Sequence, residues 1–209
     1  MIEMYNGSVS MHGKPLFKGV TFQATAGDKV AVTGSEGYGK TVLLHAMLGL
    51  TPMSIGWVCV DGEPVLPDTA QMFRNRMSYM PSGEGLESVR VGELMEGVFA
   101  LRANSDCIYT KEAVFKEWDK LGIAHDCYTK TFGETDAATA QRIRIALTGL
   151  AGRPYSLIDD PLSHQDAKGR TAVMAYLCSP VFSQSAIIVA TRDNELLSVC
   201  NKTINLNDY

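Results

Sequence analysis

The spacing of apolar residues divides the chain into segments with the period of a strand and segments with the period of a helix. Short apolar runs bounded by turn residues predict buried strands. The predicted strands are Lys29–Thr33, Trp57–Val60, Met77–Met80, Tyr155–Asp159, Ala186–Ala190 and Thr203–Leu206. Apolar residues recurring every three or four positions predict helices. The predicted helices are Lys40–Leu50, Val91–Leu101, Lys111–Leu121, Ala137–Leu150, Asp166–Leu177 and Asn194–Cys200.

Strands and helices alternate over most of the chain, which is typical of an α/β fold with a mainly parallel sheet and helices on both faces. Residues 2–30 hold short β-like pieces separated by turn signals. Between Gly83 and Ala140 the pattern is mostly helical, which predicts a helical subdomain over approximately 83–140. The 209 residues are enough to bury a sizeable core, and we expect one domain over residues 1–209.

Charge and hydropathy exclude some classes of partner. The formal net charge is −4, so no basic surface for DNA or RNA is expected. The N-terminus has neither the basic nor the apolar region of a secretory signal. The longest apolar stretch, Val42–Leu50, is too short to cross a bilayer. We therefore expect no transmembrane segment and no nucleic-acid partner.

The five cysteines include no C-x-x-C pair, which favours a reduced, cytoplasmic location without disulfides or a thiolate metal site. Two of them, Cys59 and Cys178, lie in apolar stretches and are predicted to be buried. The cysteines are Cys59, Cys107, Cys127, Cys178 and Cys200.

The strongest chemical signal is a G-x-x-x-x-G-K-T motif between a predicted strand and a predicted helix. Its residues are Gly34, Ser35, Glu36, Gly37, Tyr38, Gly39, Lys40 and Thr41. Glycines let successive backbone N–H groups point at phosphate oxygens, and the helix presents its positive end to the anion. Lys40 supplies a charge for the β- and γ-phosphates, and Thr41 supplies a hydroxyl ligand for Mg²⁺. The motif predicts ATP and Mg²⁺ as ligands.

A second anionic group is expected at the end of the strand Tyr155–Asp159. Asp159 is predicted to hold Mg²⁺, and Asp160 to orient or deprotonate the attacking water. Thr41 and Asp159 are thus the candidate metal residues.

Taken together, the order of motifs resembles the nucleotide-binding subunits of ABC (ATP-binding cassette) transporters over nearly the whole chain. Its most characteristic part begins with Gln141-Arg142-Ile143-Arg144 and Gly152-Arg153-Pro154. It continues with Asp159-Asp160-Pro161-Leu162-Ser163 and the D-loop-like Ser163-His164-Gln165-Asp166. The resemblance implies a P-loop NTPase core, an N-terminal antiparallel β subdomain and a helical subdomain. It also adds Val42 to the nucleotide-binding residues.

Several positions depart from the pattern of that family. Thr135–Thr139 stands where the family has its LSGGQ signature, and Asp136 places a negative charge there. Ser82 replaces the glutamine of the Q-loop. Asp160 replaces the catalytic glutamate, and Arg192 replaces the switch histidine. Ser82, Asp160 and Arg192 are the candidate catalytic residues, although Arg192 could also be a surface arginine.

The aromatic residue that stacks on adenine in the family is replaced by Met11, which could instead belong to the core. Family members dimerise head to tail, so each nucleotide lies between one phosphate loop and the signature of the other subunit. Changes at Asp160 and Arg192 weaken this chain's own site, whereas changes at Thr135–Thr139 weaken the site of its partner. We therefore expect ATP binding with slow hydrolysis, in a homodimer or a heterodimer.

Three functions remain open at this point. The first is an ATP-binding subunit at the inner face of the cell membrane, driving a permease-type subunit docked near Ser82–Leu101. Within that segment, Gly83–Glu87 could line the docking groove or form an exposed loop. The second is a non-hydrolysing, nucleotide-gated interaction or regulatory protein. The third, a soluble phosphotransferase, lacks the arginine-rich lid that such an enzyme needs. The transported substance and the direction of transport stay undetermined.

Overall fold

The computed structural model describes residues 1–11, 13–83, 85–104 and 109–209. The chain divides into two compact units. Unit 1 comprises Met1–Tyr79, Arg153–Asp160 and Ser183–Tyr209. Unit 2 comprises Met80–Gly152 and Pro161–Phe182, so it contains the predicted helical region and two further stretches that follow it.

An antiparallel sheet forms the first part of unit 1 and confirms the expected N-terminal β subdomain. Its strand order is β2-β1-β4-β5. The strands are β1 (Ile2–Met11), β2 (Lys14–Ala24), β4 (Ile55–Val60) and β5 (Glu63–Pro64). The pattern had predicted only short pieces here, whereas β1 and β2 are long. The pairing of β1 with β2 shifts between Met4 and Gly7, and Asn6 has a φ of 49°. These irregularities interrupt the alternation of buried and exposed residues, so the sequence pattern does not indicate one continuous strand.

The second sheet has five strands, in the order β6-β7-β8-β3-β9. They are β3 (Lys29–Thr33), β6 (Met77–Met80), β7 (Tyr155–Asp159), β8 (Ala186–Ala190) and β9 (Lys202–Asn205). Strand β3 pairs in parallel with β8 and β9, and β7 pairs in parallel with β8. The carboxyl ends of β3, β7 and β8 therefore meet at one edge, which is where an open α/β sheet places its ligand site.

The described residues also form seven α-helices. In unit 1 they are α1 (Lys40–Met47), α2 (Ala70–Arg74) and α7 (Asn194–Leu197). In unit 2 they are α3 (Val91–Ala100), α4 (Lys111–Leu121), α5 (Ala137–Leu150) and α6 (Ala167–Leu177). The α/β fold class is confirmed.

Apolar packing holds the phosphate-loop region in place within unit 1. Val30 and Val32 of β3 are fully buried, as are Leu43 and Leu44 of α1. They belong to one hydrophobic core that also includes strands of the antiparallel sheet. Burying an aliphatic side chain of this size contributes roughly 1.5–3 kcal/mol. The loop between β3 and α1 is therefore anchored by rigid elements at both ends.

Unit 2 has an aromatic core of its own. The fully buried Trp118 of α4 lies 6.2 Å from the ring of Tyr128, measured between ring centroids. Tyr176 of α6 makes an edge contact with Phe182 at 5.7 Å. Helix α4 contacts both α5 and α6.

Some predicted helix ends are wrong by a few residues, for local reasons. Helix α1 was expected to reach Leu50 but ends at Met47, because Gly49 adopts a left-handed φ of 67°. The Leu50 N–H then donates to the His45 carbonyl at 2.9 Å. Asp166 is the N-cap of α6 and not its first residue, since its side chain accepts from the Gly169 N–H.

Near its C-terminal end the chain also differs slightly from the prediction. Helix α7 stops at Leu197, and β9 ends at Asn205 because the Asn205 side chain caps a short 3₁₀ turn. Cys178, predicted to be buried, is exposed because it follows the last turn of α6. Cys59 is buried as expected, and Cys107 lies outside the described residues.

Candidate nucleotide-binding site

The phosphate loop runs from the end of β3 to the start of α1. Gly34, Gly37 and Gly39 have φ values of 141°, 80° and 84°, which residues with a Cβ rarely adopt. Gly39 is the N-cap of α1 and provides no side chain to cap the helix. The first N–H groups of α1 therefore point into the loop with the positive end of the helix behind them.

Lys40 lies along the inside of this loop. Its Nζ donates to the carbonyl oxygens of Gly34 at 2.7 Å and of Ser35 at 2.9 Å. Partial burial lowers the pKa of Lys40, and the positive charge of Arg192 lowers it further. Nearby carboxylates oppose that shift. The ammonium group is thus held where a phosphate chain would cross the loop.

Thr41 and Asp159, the two candidate metal residues, lie in contact. Thr41 Oγ1 donates to Asp159 Oδ2 at 2.7 Å, although the two residues are 118 positions apart. Asp159 is buried at the end of β7, with only 4% of its surface exposed. A hydroxyl and a carboxylate oxygen are hard donors of the kind that Mg²⁺ prefers, so this pair fits the expected metal.

Asp160 follows directly and turns sharply. Its φ is 49°, an uncommon value for a residue with a side chain, and its N–H donates to the carbonyl of Ala190 at 2.8 Å. Burial raises the pKa of Asp160, while the charge of Arg192 acts in the opposite direction. The charge of Lys40 also acts on the Asp160 carboxylate, which therefore lies near the phosphate loop.

Arg192 lies after β8 and reaches the phosphate loop itself. Its Nη1 donates to Glu36 Oε2 at 2.9 Å. Both side chains are largely exposed. The structure therefore brings Arg192 together with the other candidate residues of unit 1.

The other predicted site residues make no contact described above, and one of them belongs to unit 2. Val42 packs against the core of unit 1, whereas Tyr38 and Met11 are exposed by nearly half of their surface. Ser82 is exposed and belongs to unit 2.

Three residues in or near the site were missed from the sequence, and one of them, Asn207, bonds to the phosphate loop. The side-chain oxygen of Asn207 accepts a hydrogen bond from the Ser35 N–H at 3.0 Å. One turn of α1 beyond Thr41, His45 Nε2 and the Tyr79 hydroxyl are hydrogen-bonded at 3.0 Å. Burial, followed by the charge of Asp159, raises the pKa of Tyr79 to about 12. Asn207 stands in a cluster of turn-forming residues, but nothing in that cluster indicates its distant partner.

The segment Thr135–Thr139 lies in unit 2 and starts α5. Asp136 is the N-cap of this helix: Oδ1 accepts from the Thr139 N–H at 2.9 Å and Oδ2 from the Thr139 hydroxyl at 2.7 Å. These hydrogen bonds lower the pKa of Asp136. The N-terminus of α5 thus carries an anionic cap from its own chain.

A glycine-rich loop closed by Lys-Thr, with a carboxylate from a nearby strand, defines a P-loop NTPase. The family described as ABC transporter matches residues 17–163. The chain belongs to that family, and it is an ATP-binding protein of the P-loop NTPase class.

Individual relatives are similar at modest identity. The cytochrome c biogenesis ATP-binding export protein CcmA of Wolbachia pipientis wMel is 24% identical over 210 residues, covering 100% of this chain and 98% of its own. The phosphonates import ATP-binding protein PhnC 1 of Haloquadratum walsbyi is 28% identical over 191 residues, covering 87% of this chain and 57% of its own.

Among solved structures, a dimeric ATP-binding cassette in a post-hydrolysis state, bound to ADP and Pi, has the same fold. Its TM-score is 0.83 at 18% identity, and the match covers 99% of this chain and 94% of that one. Within the described residues, the helices are all too short or too polar to cross a membrane.

Proposed function

We propose that this chain binds Mg-ATP at the phosphate loop and works as the ATP-binding subunit of a transport complex. The observation that supports it best is the contact between Thr41 and Asp159, beside the loop that holds Lys40. Backbone N–H groups from Gly34 to Val42 would bind the phosphates, and Lys40 would neutralise the β- and γ-phosphates. Met11, at the end of β1, is the proposed contact for the adenine ring.

The Thr41 hydroxyl oxygen and the Asp159 carboxylate oxygens would hold Mg²⁺, Asp159 through the water shell of the ion. When bound, the ion neutralises charge on the β- and γ-phosphates. The protein supplies the geometry: Asp159 is fixed by β7 and Thr41 by the first turn of α1, so neither oxygen needs to be reordered.

For hydrolysis, Asp160 is the proposed base that orients and deprotonates water. Arg192 and Ser82 are proposed to contact the γ-phosphate. Burial favours the neutral carboxyl group of Asp160, whereas the charge of Arg192 favours the carboxylate. The carboxylate is the form that can accept a proton from water, so the two influences have opposite effects on Asp160 as a base. The Asp160 side chain is one methylene shorter than the catalytic glutamate of the family. The shorter side chain displaces the carboxylate, and a displacement of about 1 Å can lower the rate roughly a hundredfold.

Slow hydrolysis is also supported by the cap of α5. In a head-to-tail dimer, the N-terminus of α5 would face the γ-phosphate that the other subunit holds. Here the Asp136 carboxylate already accepts the hydrogen bonds of Thr139 and adds negative charge. An approaching phosphate would meet repulsion instead of free N–H donors. In a homodimer, hydrolysis would therefore be slow at both nucleotide sites.

A membrane-embedded permease-type subunit is the proposed partner, docked on the segment Ser82–Leu101 of unit 2. A cavity of about 210 Å³ at the start of this segment supports the proposal. Leu86 and Phe132 give it apolar walls, and Arg144 and His164 give it polar ones. Glu84, which the sequence placed in the same loop, lies outside the described residues. Docking there would hold the chain at the cytoplasmic face of the membrane.

A non-hydrolysing regulatory or interaction protein is the second candidate, and the Asp136 cap favours it. In that case ATP would stabilise a dimer by mass action, without turnover. CcmA is an export protein and PhnC an import protein, so neither a transported substance nor a direction of transport is assigned to this chain.

The test is to purify the chain and measure Mg-ATP affinity and phosphate release. Lys40→Ala should abolish binding, whereas Lys116→Ala on the exposed side of α4 should not change it. We expect a turnover well below about 1 s⁻¹. Turnover near that value or faster, abolished by Lys40→Ala, would contradict slow hydrolysis. No binding at millimolar ATP would contradict the nucleotide site itself.

Recovery of the chain with a membrane protein separates the two candidates. A co-purifying membrane subunit that stimulates phosphate release supports the transport role. Tight retention of ATP without phosphate release supports the regulatory one.

A further inference from the structure

One ion pair links the phosphate loop to the residue that follows β8. Arg192 and Glu36 are 156 positions apart, yet Arg192 Nη1 lies 2.9 Å from Glu36 Oε2. They meet because β3 and β8 pair in parallel, so that the loops following the two strands are neighbours. Glu36 is therefore a carboxylate built into the loop that should receive phosphates.

The guanidinium group of this pair is electrostatically close to the residues that surround the phosphates. After the effect of burial, its charge is the largest influence on the pKa of Lys40 and on that of Asp160. Two positively charged side chains, Arg192 and Lys40, therefore lie close to each other at the place where the phosphates would bind. An arginine can donate in a fork to two oxygens, whether they belong to a carboxylate or to a phosphate.

We propose that Glu36 is a specificity-determining residue, whose carboxylate competes with the terminal phosphate of ATP for Arg192. The proposal rests on the proposed Mg-ATP site. ATP carries a γ-phosphate that can take the guanidinium from Glu36. ADP carries no γ-phosphate, so it leaves the pair of Glu36 and Arg192 in place. The balance of this exchange sets how strongly the site prefers ATP to ADP.

The alternative is an ordinary surface ion pair. Its exposed fractions are 56% for Arg192 and 86% for Glu36, and such pairs add little to stability. A merely structural pair would leave the ratio of the two nucleotide affinities unchanged when either residue is replaced. That ratio is therefore the quantity to measure.

The experiment is isothermal titration of the full chain with Mg-ATP and with Mg-ADP. Glu36→Gln should raise the preference for ATP over ADP by roughly threefold to tenfold, because the competing charge is gone. Arg192→Gln should lower that preference by about tenfold, and Arg192→Lys should lower it less, since one charge is kept. The double variant should behave like Arg192→Gln alone, because Glu36 acts through Arg192.

Asp126→Asn and Lys130→Gln are matched controls, since they break another exposed ion pair, at 2.7 Å in unit 2. Both should leave the preference unchanged. Circular dichroism of each variant confirms that it is folded, and Arg192→Lys carries the test if Arg192→Gln is not.

The proposal is overturned if Glu36→Gln changes the preference by less than about twofold. It is also overturned if Glu36→Gln has the same effect with and without Arg192. Failure of the underlying Mg-ATP site looks different, because the unmodified chain would then bind neither nucleotide and both proposals would fall together.

Discussion

At the residue scale, Asp28 shows how one carboxylate fixes the entry to the phosphate-loop strand. Its Oδ2 accepts hydrogen bonds from the Thr25 N–H at 2.8 Å and from Lys202 Nζ at 2.8 Å. Its Oδ1 accepts from Asn201 Nδ2 at 3.0 Å. Burial alone would raise the pKa of Asp28, but these partners outweigh burial and hold the pKa far below its ordinary value of 3.8.

The stability that Asp28 provides should therefore depend on pH. Its carboxylate contributes fully above pH 3.8, and the contribution is lost as the pH falls toward the lowered pKa. Asp28→Asn should lower the free energy of unfolding by about 2 kcal/mol at pH 7. The difference should shrink when urea unfolding is repeated at about pH 3.

The exposed Asp68 provides the control, since Asp68→Asn should have no effect at either pH. An equal loss for Asp28→Asn at both pH values would mean that the lost hydrogen-bond acceptor matters and the charge does not, because asparagine keeps the shape of the side chain.

The residues of the nucleotide site were predictable to different degrees at this scale. Gly34, Lys40 and Thr41 were identified because local backbone geometry and phosphate chemistry require those residue types in that order. The ion pair of Arg192 with Glu36 could not be predicted. It depends on two loops that only the sheet order brings together.

At the element scale, helix α5 depends on a cap that the chain provides for itself. Asp136→Ala should lower the free energy of unfolding by about 1 kcal/mol, because the Thr139 N–H loses its acceptor. Asp136→Ser should preserve most of the stability, since serine is a good cap and removes only the charge. Chemical unfolding of the full chain followed by circular dichroism measures both.

Asp136→Asn is a useful control, because it keeps the shape and the acceptor oxygen while it removes the charge. If the serine and asparagine variants lose as much as Asp136→Ala, then the carboxylate charge stabilises α5 and the simple capping account is wrong.

Elements were predicted well in their interiors and less well at their ends. Strands β3, β7 and β8 and helices α4 and α5 match the prediction, because their apolar periods are regular. Helix α1 ended early at a glycine whose left-handed conformation depends on the local chain path. Strand β1 was fragmented in the prediction because its irregular pairing around Asn6 and Gly7 shifts the period of two.

At the scale of the whole molecule, ligand binding should be visible in thermal unfolding. A ligand that binds only the folded state stabilises it in proportion to the logarithm of its concentration. At a hundred times its Kd, Mg-ATP should add about 2.7 kcal/mol. The unfolding temperature should therefore keep rising as Mg-ATP is added.

Lys40→Ala should remove this rise, and Lys116→Ala should retain it. A shift that Lys40→Ala leaves intact would place the bound nucleotide elsewhere on the chain. Differential scanning calorimetry suits the measurement, since the two compact units need not unfold in one transition.

The fold class was predictable at this scale because alternating strands and helices allow few architectures. The division into units was not. Unit 2 takes in all of α5 and α6, whereas the predicted helical region ended near Ala140, within α5. Periodicity reports which face of a helix is apolar, but it does not report which neighbour covers that face.

The position of β3 in the sheet has a consequence for biosynthesis. Both of its parallel neighbours, β8 and β9, come more than 150 residues later, and Ser35 is tied to Asn207 across 172 positions. A nascent chain must therefore carry the strand and loop for phosphate binding unpaired until most of the protein has left the ribosome. Pairing over such separations is slow, so chaperones have a long interval in which to bind this apolar strand.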